Sequence, residues 1–330
     1  MKVALRYWLV GFQALFVVTL ALVSSRPIPF EFSRPMGAAM MIWSVGILFL
    51  IVRTMITAFR TDNANEAFFE GIKAEVGTIF AALVYAVLLG LSIALHGWGK
   101  SMIPHVTTYW ADPYLANLDA ALFGQDPWRL FRSDLLRPLY AEAYVSWFLI
   151  TFGTMGFLAF SKRDHSALLT SYLAILIIGG TVGQYLLPSA GPIFYERIGH
   201  GARFAELVAT NDPTYGLFAD YLWKHYQAGG ADLGTGISAM PSMHVTLAIW
   251  TVIAARALWR PLMIPASIYA LVIWAASIAS GWHYALDGVV GAVIAIAVTY
   301  ALTRRQPAVA ELVDAPATVE PGVPKPAPAA

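Results

Sequence analysis

Hydrophobic residues gather in eight long runs, and short polar segments separate most of these runs from one another. The runs cover residues 7–25, 36–57, 76–97, 139–160, 166–187, 242–259, 261–280 and 284–303. A membrane hydrocarbon core about 30 Å thick needs about 20 apolar residues for each helical crossing. The pattern therefore predicts an all-α, polytopic membrane protein with about eight transmembrane helices.

The polar segments divide the chain into three regions. Residues 1–97 read as three simple spanning helices, whereas residues 98–303 carry every unusual polar motif. Residues 304–330 are rich in Pro, Ala and Val, which predicts a disordered cytoplasmic tail. Within the middle region, residues 114–124 predict a helix lying on the outer membrane surface, and residues 204–228 predict an amphipathic helix inside a long outer loop.

Composition supports the membrane class and argues against several other kinds of protein and site. The chain is 58% hydrophobic and 12% charged, with a mean hydropathy of +0.63, whereas soluble domains are about a quarter charged. A net charge of +1 offers no electrostatic case for binding nucleic acid. The absence of cysteine excludes disulfides, thiolate zinc sites and a cysteine nucleophile.

Lysine and arginine in the short loops predict that both termini lie in the cytoplasm. With this orientation the cytoplasmic side holds Lys2, Arg6, Arg53, Arg60, Lys73, Lys162, Arg163, Arg256, Arg260, Arg304 and Arg305. Several of the cations assigned to the opposite side lie in long segments, which count less in this rule. The compact loops favour a bacterial inner membrane.

Three polar segments fall together on the predicted extracytoplasmic side. They are LPSAGPIFYE at 187–196, SAMPSMH at 238–244 and SGWHYALD at 280–287. His244 and His283 are 39 residues apart, which is a helical path of about 58 Å. Two membrane crossings use up that length. The spacing therefore predicts that the two histidines lie at the same membrane face.

The second segment has the composition of a helix start that binds an anion. Pro241 suits the first helical position, where a missing N–H costs nothing. Ser242, Met243 and His244 would then occupy the first turn, whose free N–H groups and dipole favour a phosphate group. A histidine in that turn can exchange a proton with the bound group.

The third segment pairs a histidine with a carboxylate. His283 and Asp287 are four residues apart, so they are predicted to share one helix face. A carboxylate bound to one imidazole nitrogen makes the other nitrogen a better nucleophile. A structural hydrogen bond or half of a metal site would explain this pair alone. The histidine turn at 241–244 and the His283/Asp287 pair at the same membrane face together favour a catalytic site.

The stretches PSMH at 241–244 and GWHYALD at 281–287 resemble the type 2 phosphatidic acid phosphatase superfamily, and within it the inositol phosphorylceramide synthase branch. The resemblance covers roughly residues 110–303. It implies that His283 is the nucleophile that takes the phosphate-containing group and that Asp287 orients it. His244 would protonate the leaving oxygen and then deprotonate the incoming hydroxyl. The resemblance implies no metal and no other cofactor.

The chain departs from the phosphatase pattern in the cations that hold the phosphate. That pattern has an arginine six residues before the nucleophile, where this chain has Ser277. It also has a lysine seven residues before an Arg-Pro pair, where this chain has Leu130. The phosphate must therefore be held differently. The predicted substrate-binding groups are the backbone at Ser242 and Met243, Gly191, and the side chains of Arg137, Tyr195, Arg197 and Lys224.

These features predict a membrane enzyme that moves a phosphate-containing head group from a lipid donor to a hydroxyl acceptor. Its partners would be lipid substrates and the membrane, and its oligomeric state is open. Water as acceptor would make it a lipid phosphate phosphatase instead. A lipid binder or proton-relaying transporter would carry polar groups through the midplane, where the chain has mainly Gln13, Glu142 and Gln184. A metal site would draw on His244, His283, Asp287 and Glu196.

Overall fold

A computed structural model describes residues 2–161, 163–230 and 234–304, and this part of the chain folds into helices without any strand. The helices are α1 (Lys2–Val23), α2 (Ser33–Ala58), α3 (Ala64–Ala74), α4 (Val76–Val106), α5 (Asp112–Phe123), α6 (Trp128–Phe131), α7 (Arg137–Ala159), α8 (Ser166–Ile175), α9 (Gln184–Leu186), α10 (Ala205–Ala209), α11 (Pro213–Ala228), α12 (Met243–Leu258), α13 (Met263–Ala279) and α14 (Ala285–Thr303). The predicted all-α class is confirmed. The predicted tail lies outside the described residues, except for Arg304.

Six helical segments of the described chain are long and apolar enough to cross a membrane. They are Ala4–Val23, Ser33–Ala58, Val76–Val106, Ser166–Leu186, Arg260–Ala279 and Ala285–Thr303. The other two predicted crossings correspond to α7 and α12. Helix α12 has 16 residues and is therefore only about 24 Å long. The predicted count of eight is thus not confirmed.

Helix α12 lies at the centre of the C-terminal half of the protein. Its Trp250 is fully buried and donates from Nε1 to Leu168 O at 3.2 Å and to Ser171 Oγ at 3.1 Å. These bonds fasten α12 to α8, because an indole N–H in an apolar interior needs an acceptor. Helices α7, α13 and α14 pack around the same core.

Helix α8 continues into a π-helix, Leu176–Gly183, before α9 ends the segment. Two glycines of this π-helix let the turn that begins α12 approach closely. A Cβ at Gly179 would lie 3.5 Å from Met243 Sδ, and one at Gly183 would lie 3.4 Å from Pro241 Cδ. The π-helix therefore forms one wall behind the SAMPSMH segment, and π-helices often occur at functional sites.

The N-terminal half and the long outer loop differ in three places from the sequence-based prediction. Helix α4 continues to Val106, well beyond residue 97, with Pro104 in its last turn. The predicted amphipathic helix within residues 204–228 is two helices, α10 and α11. Helix α3 was not predicted, because its short amphipathic stretch has no long apolar run. The predicted surface helix at 114–124 corresponds to α5.

Candidate active site

The fold brings His244 and His283 together. Helix α12 runs away from His244, a 3₁₀ turn at Arg260–Leu262 reverses the chain, and α13 returns to the segment that contains His283. The centroids of the two imidazole rings are 6.3 Å apart. The two imidazoles are therefore close enough to act on the same bound group.

His244 is the second residue of α12. The helix begins at Met243, and Ser242 is its N-cap, with the Ser242 hydroxyl 3.5 Å from the Val245 N–H that it accepts. The prediction that Pro241 occupies the first helical position is therefore wrong by two residues. Ser242 caps that end of the helix because its hydroxyl can accept a backbone N–H, which proline's side chain cannot do.

His283 lies in the turn before α14 and not on the helix itself. Its Nδ1 is 2.8 Å from the Ala239 carbonyl oxygen and 3.4 Å from Asp287 Oδ2. A carbonyl can only accept, so Nδ1 must carry the proton. The Nε2 atom of the neutral ring is then left with a free lone pair. The predicted contact with Asp287 is present, but the carbonyl of Ala239 is the nearer partner.

Asp287 reaches His283 through helix capping. Tyr284 is the N-cap of α14, and its N–H donates to Asp287 Oδ2 at 2.8 Å. The Asp287 carboxylate thus folds back over the turn that holds His283, as in a capping box. The expectation of a shared helix face is wrong, because α14 begins two residues after His283. The second oxygen, Oδ1, is buried and has no hydrogen-bond partner among the described residues.

The two histidine segments are also tied through the backbone. The N–H of Ser242 donates to the carbonyl oxygen of Asp287 at 3.0 Å. This N–H was predicted to bind substrate and is instead used to join α12 to α14. The N–H groups of Met243 and His244, as the first two of the helix, have no carbonyl one turn back within it.

Aromatic side chains of α7 enclose His244, and no motif in the chain pointed to them. The ring of Tyr144 stacks on His244 with centroids 4.4 Å apart, and the ring of Trp147 lies 4.6 Å away. Trp147 also donates from Nε1 to the His244 carbonyl oxygen at 2.9 Å. These contacts fix the position of the imidazole and keep bulk water from two of its sides.

Two carboxylates of α5 hold the site loops in place, and neither was predicted as a functional residue. Asp112 accepts from the N–H of Ala190 at 2.8 Å, from the N–H of Gly191 at 2.9 Å and from Tyr284 Oη at 2.8 Å. It therefore joins the segment at 187–196 to the segment at 280–287. A carboxylate next to Pro113 gives little sequence signal beyond a helix start.

Asp119 has a similar role about two turns further along α5. It accepts from the N–H of Ala285 at 2.6 Å and from the N–H of Leu286 at 3.2 Å. It thus caps the start of α14 from another helix, where a negative charge is favoured by the dipole. Burial raises the pKa of Asp112 and of Asp119 to about 6, although the N–H donors oppose this shift.

Gly191 is needed for the close approach of two loops. Its φ is +92°, and a Cβ at this position would lie 2.5 Å from the Trp282 carbonyl oxygen. Tyr195, four residues on, is buried beside His200 and Phe204, and burial raises its pKa. Both residues border the site, and in this structure both serve its packing.

The predicted arginines are engaged in ion pairs at the protein surface. Arg137 lies 3.7 Å from Asp134 and 3.9 Å from Asp212, and Arg197 lies 2.6 Å from Asp220. Lys224 is exposed. Met243 points its sulfur towards the π-helix. The structure therefore does not gather these side chains beside the two histidines.

The donors of the alternative metal site do not form a set of metal ligands. Glu196 is exposed, and the described residues include no group of three or more His, Asp or Glu side chains placed to hold a metal ion. A small cleft lies beside His283. Its walls include Asp119, Asp126, Trp128 and Tyr284.

Comparison with known proteins agrees with this geometry. No curated protein and no solved structure matches the chain significantly. The model of the PAP2 superfamily matches residues 115–301, which is 187 of the 330 residues and therefore more than half of the chain. The match covers both histidine segments, the π-helix and most of α5. The chain belongs to the PAP2 superfamily, and membership supports an integral membrane enzyme of the phosphatase or phosphotransferase type that acts on lipid phosphates.

Proposed function

We propose that this protein transfers a phosphate-containing head group from a lipid donor to a hydroxyl acceptor through a phosphohistidine on His283. The observation that carries the proposal is the bond between His283 Nδ1 and the Ala239 carbonyl oxygen at 2.8 Å. This bond places the proton on Nδ1 and leaves the Nε2 lone pair for attack on phosphorus. Asp287 lies behind the ring, where its charge would stabilise the imidazolium that forms.

The first half of the reaction breaks the donor ester. His283 Nε2 forms a bond to phosphorus, and the bond from phosphorus to the donor oxygen breaks. The proton of protonated His244 goes to that leaving oxygen. Proton transfer by a placed histidine contributes a factor of about 10² to 10⁴ in rate.

The second half regenerates the enzyme. Neutral His244 takes the proton of the acceptor hydroxyl, the acceptor oxygen attacks phosphorus, and the bond from phosphorus to Nε2 breaks. Atoms and protons balance without a metal or redox partner. Asp112 and Asp119 act through the backbone that they hold, so we regard them as positioning residues.

The enclosure of the site favours an acceptor other than water. His283 is 7% exposed, and the rings of Tyr144 and Trp147 cover His244. A site with little water favours transfer to an alcohol that binds beside His244 over hydrolysis. An acceptor alcohol on a lipid or a polyol, as in the inositol phosphorylceramide synthases, fits this requirement. The proposal also places the site on the extracytoplasmic face of a bacterial inner membrane.

The test uses the full-length protein in detergent with head-group-labelled phosphatidic acid, and separately with phosphatidylinositol plus ceramide or diacylglycerol. Wild type is compared with His283→Asn, with His244→Asn and with the control His225→Asn, whose ring bonds to a carbonyl of its own helix. Label bound to protein is measured after an alkaline quench, which preserves phosphohistidine.

We expect labelled wild-type protein and a new phospholipid product, and no label in His283→Asn. His244→Asn should slow turnover by about 10²-fold or more. Product formation that survives His283→Asn would contradict the phosphohistidine. Free phosphate as the main product would instead establish the hydrolytic reaction.

A further inference from the structure

The arginines around the site are already engaged by acceptors of the protein itself. Arg129 pairs with Glu206, Arg137 with Asp134 and Asp212, Arg197 with Asp220, and Arg203 with Asp126. Arg132 donates to Thr210, and Arg26 donates to the backbone of Gln227 and Ala228. A phosphate bound at His283 must therefore find its positive partner elsewhere.

Lys100 of α4 has no such partner among the described residues, and unlike the exposed Lys224 it is not open to water along its length. Its side chain is partly buried in the last two turns of a membrane helix. Within residues 2–161, 163–230 and 234–304, no carboxylate pairs with Lys100 and no side chain or backbone group accepts from its ammonium group. A lysine held in a membrane protein without a counter-ion is costly, and such residues are as a rule functional.

The loop that fixes His283 packs directly on Lys100. A Cβ at Gly236 would lie 2.8 Å from Lys100 Cγ and 2.9 Å from the Lys100 carbonyl carbon, and the φ of Gly236 is +87°. Three residues later, the carbonyl of Ala239 accepts from His283. Lys100 and His283 thus lie against the same short loop, and only a glycine at position 236 permits the approach.

Lys100 also shares a face of α4 with His96, which lies one helical turn before it. The His96 ring packs on the π-helix behind the SAMPSMH segment, since a Cβ at Gly180 would lie 3.2 Å from it. Helix α9 keeps α4 in this place, because Tyr185 Oη donates to the carbonyl of Gly99 at 2.5 Å. The face of α4 that carries Lys100 therefore borders the π-helix and the loop that hold the two histidine segments.

Several polar atoms on α4, on the loop that contacts it and on α9 lack partners in the described structure. Ser101 Oγ, Gln184 Oε1 and Ser238 Oγ are buried and make no hydrogen bond. Ser101 follows Lys100 in α4, and Ser238 is two residues after Gly236 in the loop. Gln184 is only 2% exposed. It follows Gly183, the glycine that contacts Pro241. Buried polar groups are normally satisfied. Unpaired hydroxyls on α4 and on the loop that packs against it, together with an unpaired ammonium group on α4, suit an anion with several oxygens.

From this juxtaposition we infer that Lys100 binds the phosphate-containing group of the substrate while His283 attacks it, with the Ser238 hydroxyl as a second donor. In the phosphatase pattern an arginine six residues before the nucleophile supplies a positive charge, and this chain has Ser277 at that position. Lys100 would supply the charge instead. The inference rests on the proposed function, because it names the cation that this reaction requires. Ser277 itself donates its hydroxyl to the Trp274 carbonyl at 2.7 Å and offers no charge.

The test measures binding of inorganic phosphate by the shift in the thermal unfolding midpoint of the full-length protein in detergent. Wild type is compared with Lys100→Met, Lys100→Arg and the control Lys73→Met, a lysine of α3 that is 71% exposed. His283→Asn is included because it should still bind phosphate but form no phosphohistidine. Ligand stabilisation follows RT ln(1 + [L]/Kd), so the midpoints give relative affinities.

We expect phosphate to stabilise wild type, Lys73→Met and His283→Asn, and to bind Lys100→Met at least about tenfold more weakly. Lys100→Arg should retain most of the affinity. Without phosphate, Lys100→Met should unfold at the wild-type temperature or above, because methionine removes an unpaired charge and keeps the volume. That result separates a binding role from a structural one.

Three outcomes would overturn the assignment of Lys100. These are equal phosphate affinity in Lys100→Met and wild type, no stabilisation of wild type by phosphate, or a Lys100→Met variant that is destabilised without phosphate. Each leaves the phosphohistidine proposal standing, which fails only if product forms in His283→Asn. The two ideas can therefore be rejected separately.

Discussion

Helices α2 and α8 are both apolar and belong to segments of membrane-spanning length, yet they differ sharply in surroundings. Of the most apolar window in α2, 22% is buried, whereas 78% is buried in the segment formed by α8, the π-helix and α9. Their hydroxyl groups do not differ in this way, since Thr170 and Ser171 of α8 donate to carbonyls of their own helix. The hydroxyls of Ser44, Thr54 and Thr57 in α2 all donate to carbonyls one turn back in their own helix.

The carboxylates that hold the histidine segments bond across the sequence instead. Asp112 bonds to Tyr284, 172 residues away, and Asp119 bonds to Ala285, 166 residues away. A group with a local partner is satisfied wherever its helix lies. A group with a distant partner is satisfied only in one tertiary arrangement. The comparison therefore predicts that substitutions of these carboxylates disturb function, whereas substitutions of the locally bonded hydroxyls in α2 do not.

The largest effect is expected for Gly191→Ala. The substitution would force an alanine into a φ of +92° and place its Cβ 2.5 Å from the Trp282 carbonyl oxygen. Strain of this kind costs about 1–3 kcal/mol before the loops shift. We expect a loss of about 3 kcal/mol in the free energy of unfolding and of most phosphohistidine formation.

Gly153→Ala is the matched control, because Gly153 lies within α7 and has nothing within 4 Å of its Cβ position. Alanine there should be neutral or stabilise by up to about 1 kcal/mol. Unfolding in a sodium dodecyl sulfate titration measures both variants. Equal stability of the two would show that the loops at 191 and 282 are not held as tightly as the contact indicates.

A smaller effect is expected for Asp119→Ala. It leaves the N–H groups of Ala285 and Leu286 without their acceptor, and loss of a helix cap costs about 1–2 kcal/mol. We expect Asp119→Asn, which keeps one acceptor oxygen, to be less affected. Asp134→Ala is the control, since the Asp134 side chain is 87% exposed. Identical unfolding for all three would argue against the cap.

The pKa of Asp112 gives a prediction about pH. Burial raises this pKa from 3.8 to about 6, so between these values the folded state holds a proton that the unfolded chain has released. The stability that Asp112 confers is then fully present below about pH 4 and falls as the pH rises towards 6. Asparagine mimics the protonated form and does not titrate.

Asp112→Asn should therefore lose more stability relative to wild type at pH 4.5 than at pH 7.5. The difference should be on the order of 1–3 kcal/mol, since each pKa unit corresponds to about 1.4 kcal/mol. Unfolding of both proteins at the two pH values checks the sign. A larger loss at pH 7.5 would mean that the N–H donors outweigh burial and keep the carboxyl ionised.

The smallest effect is expected for Ser44→Ala in α2. The Ser44 hydroxyl donates at 2.9 Å to the carbonyl of Met40 in its own helix, and that carbonyl keeps its helical bond after the substitution. We expect changes within about 0.5 kcal/mol and unchanged turnover. A substantial loss of turnover would break the distinction between the two regions.

The sequence by itself determined the membrane class, the helices and the pairing of two histidines at one face. Apolar runs of membrane-spanning length have few alternatives to helix, and a spacing of 39 residues between His244 and His283 corresponds to two crossings and a return. Local signals were less exact. Helix α12 begins two residues after Pro241, because Ser242 provides its N-cap. Helix α14 begins two residues after His283, because Tyr284 provides its N-cap.

Only the tertiary structure decided how the site is held and charged. The carbonyl of Ala239, the carboxylates of Asp112 and Asp119, and the rings of Tyr144 and Trp147 meet the histidines from remote parts of the chain. None of these groups has a pattern that marks its partner in advance. The ion pairs that occupy Arg137 and Arg197, and the isolation of Lys100, are likewise properties of distances between elements. The sequence specifies which groups exist, and packing decides which of them are satisfied.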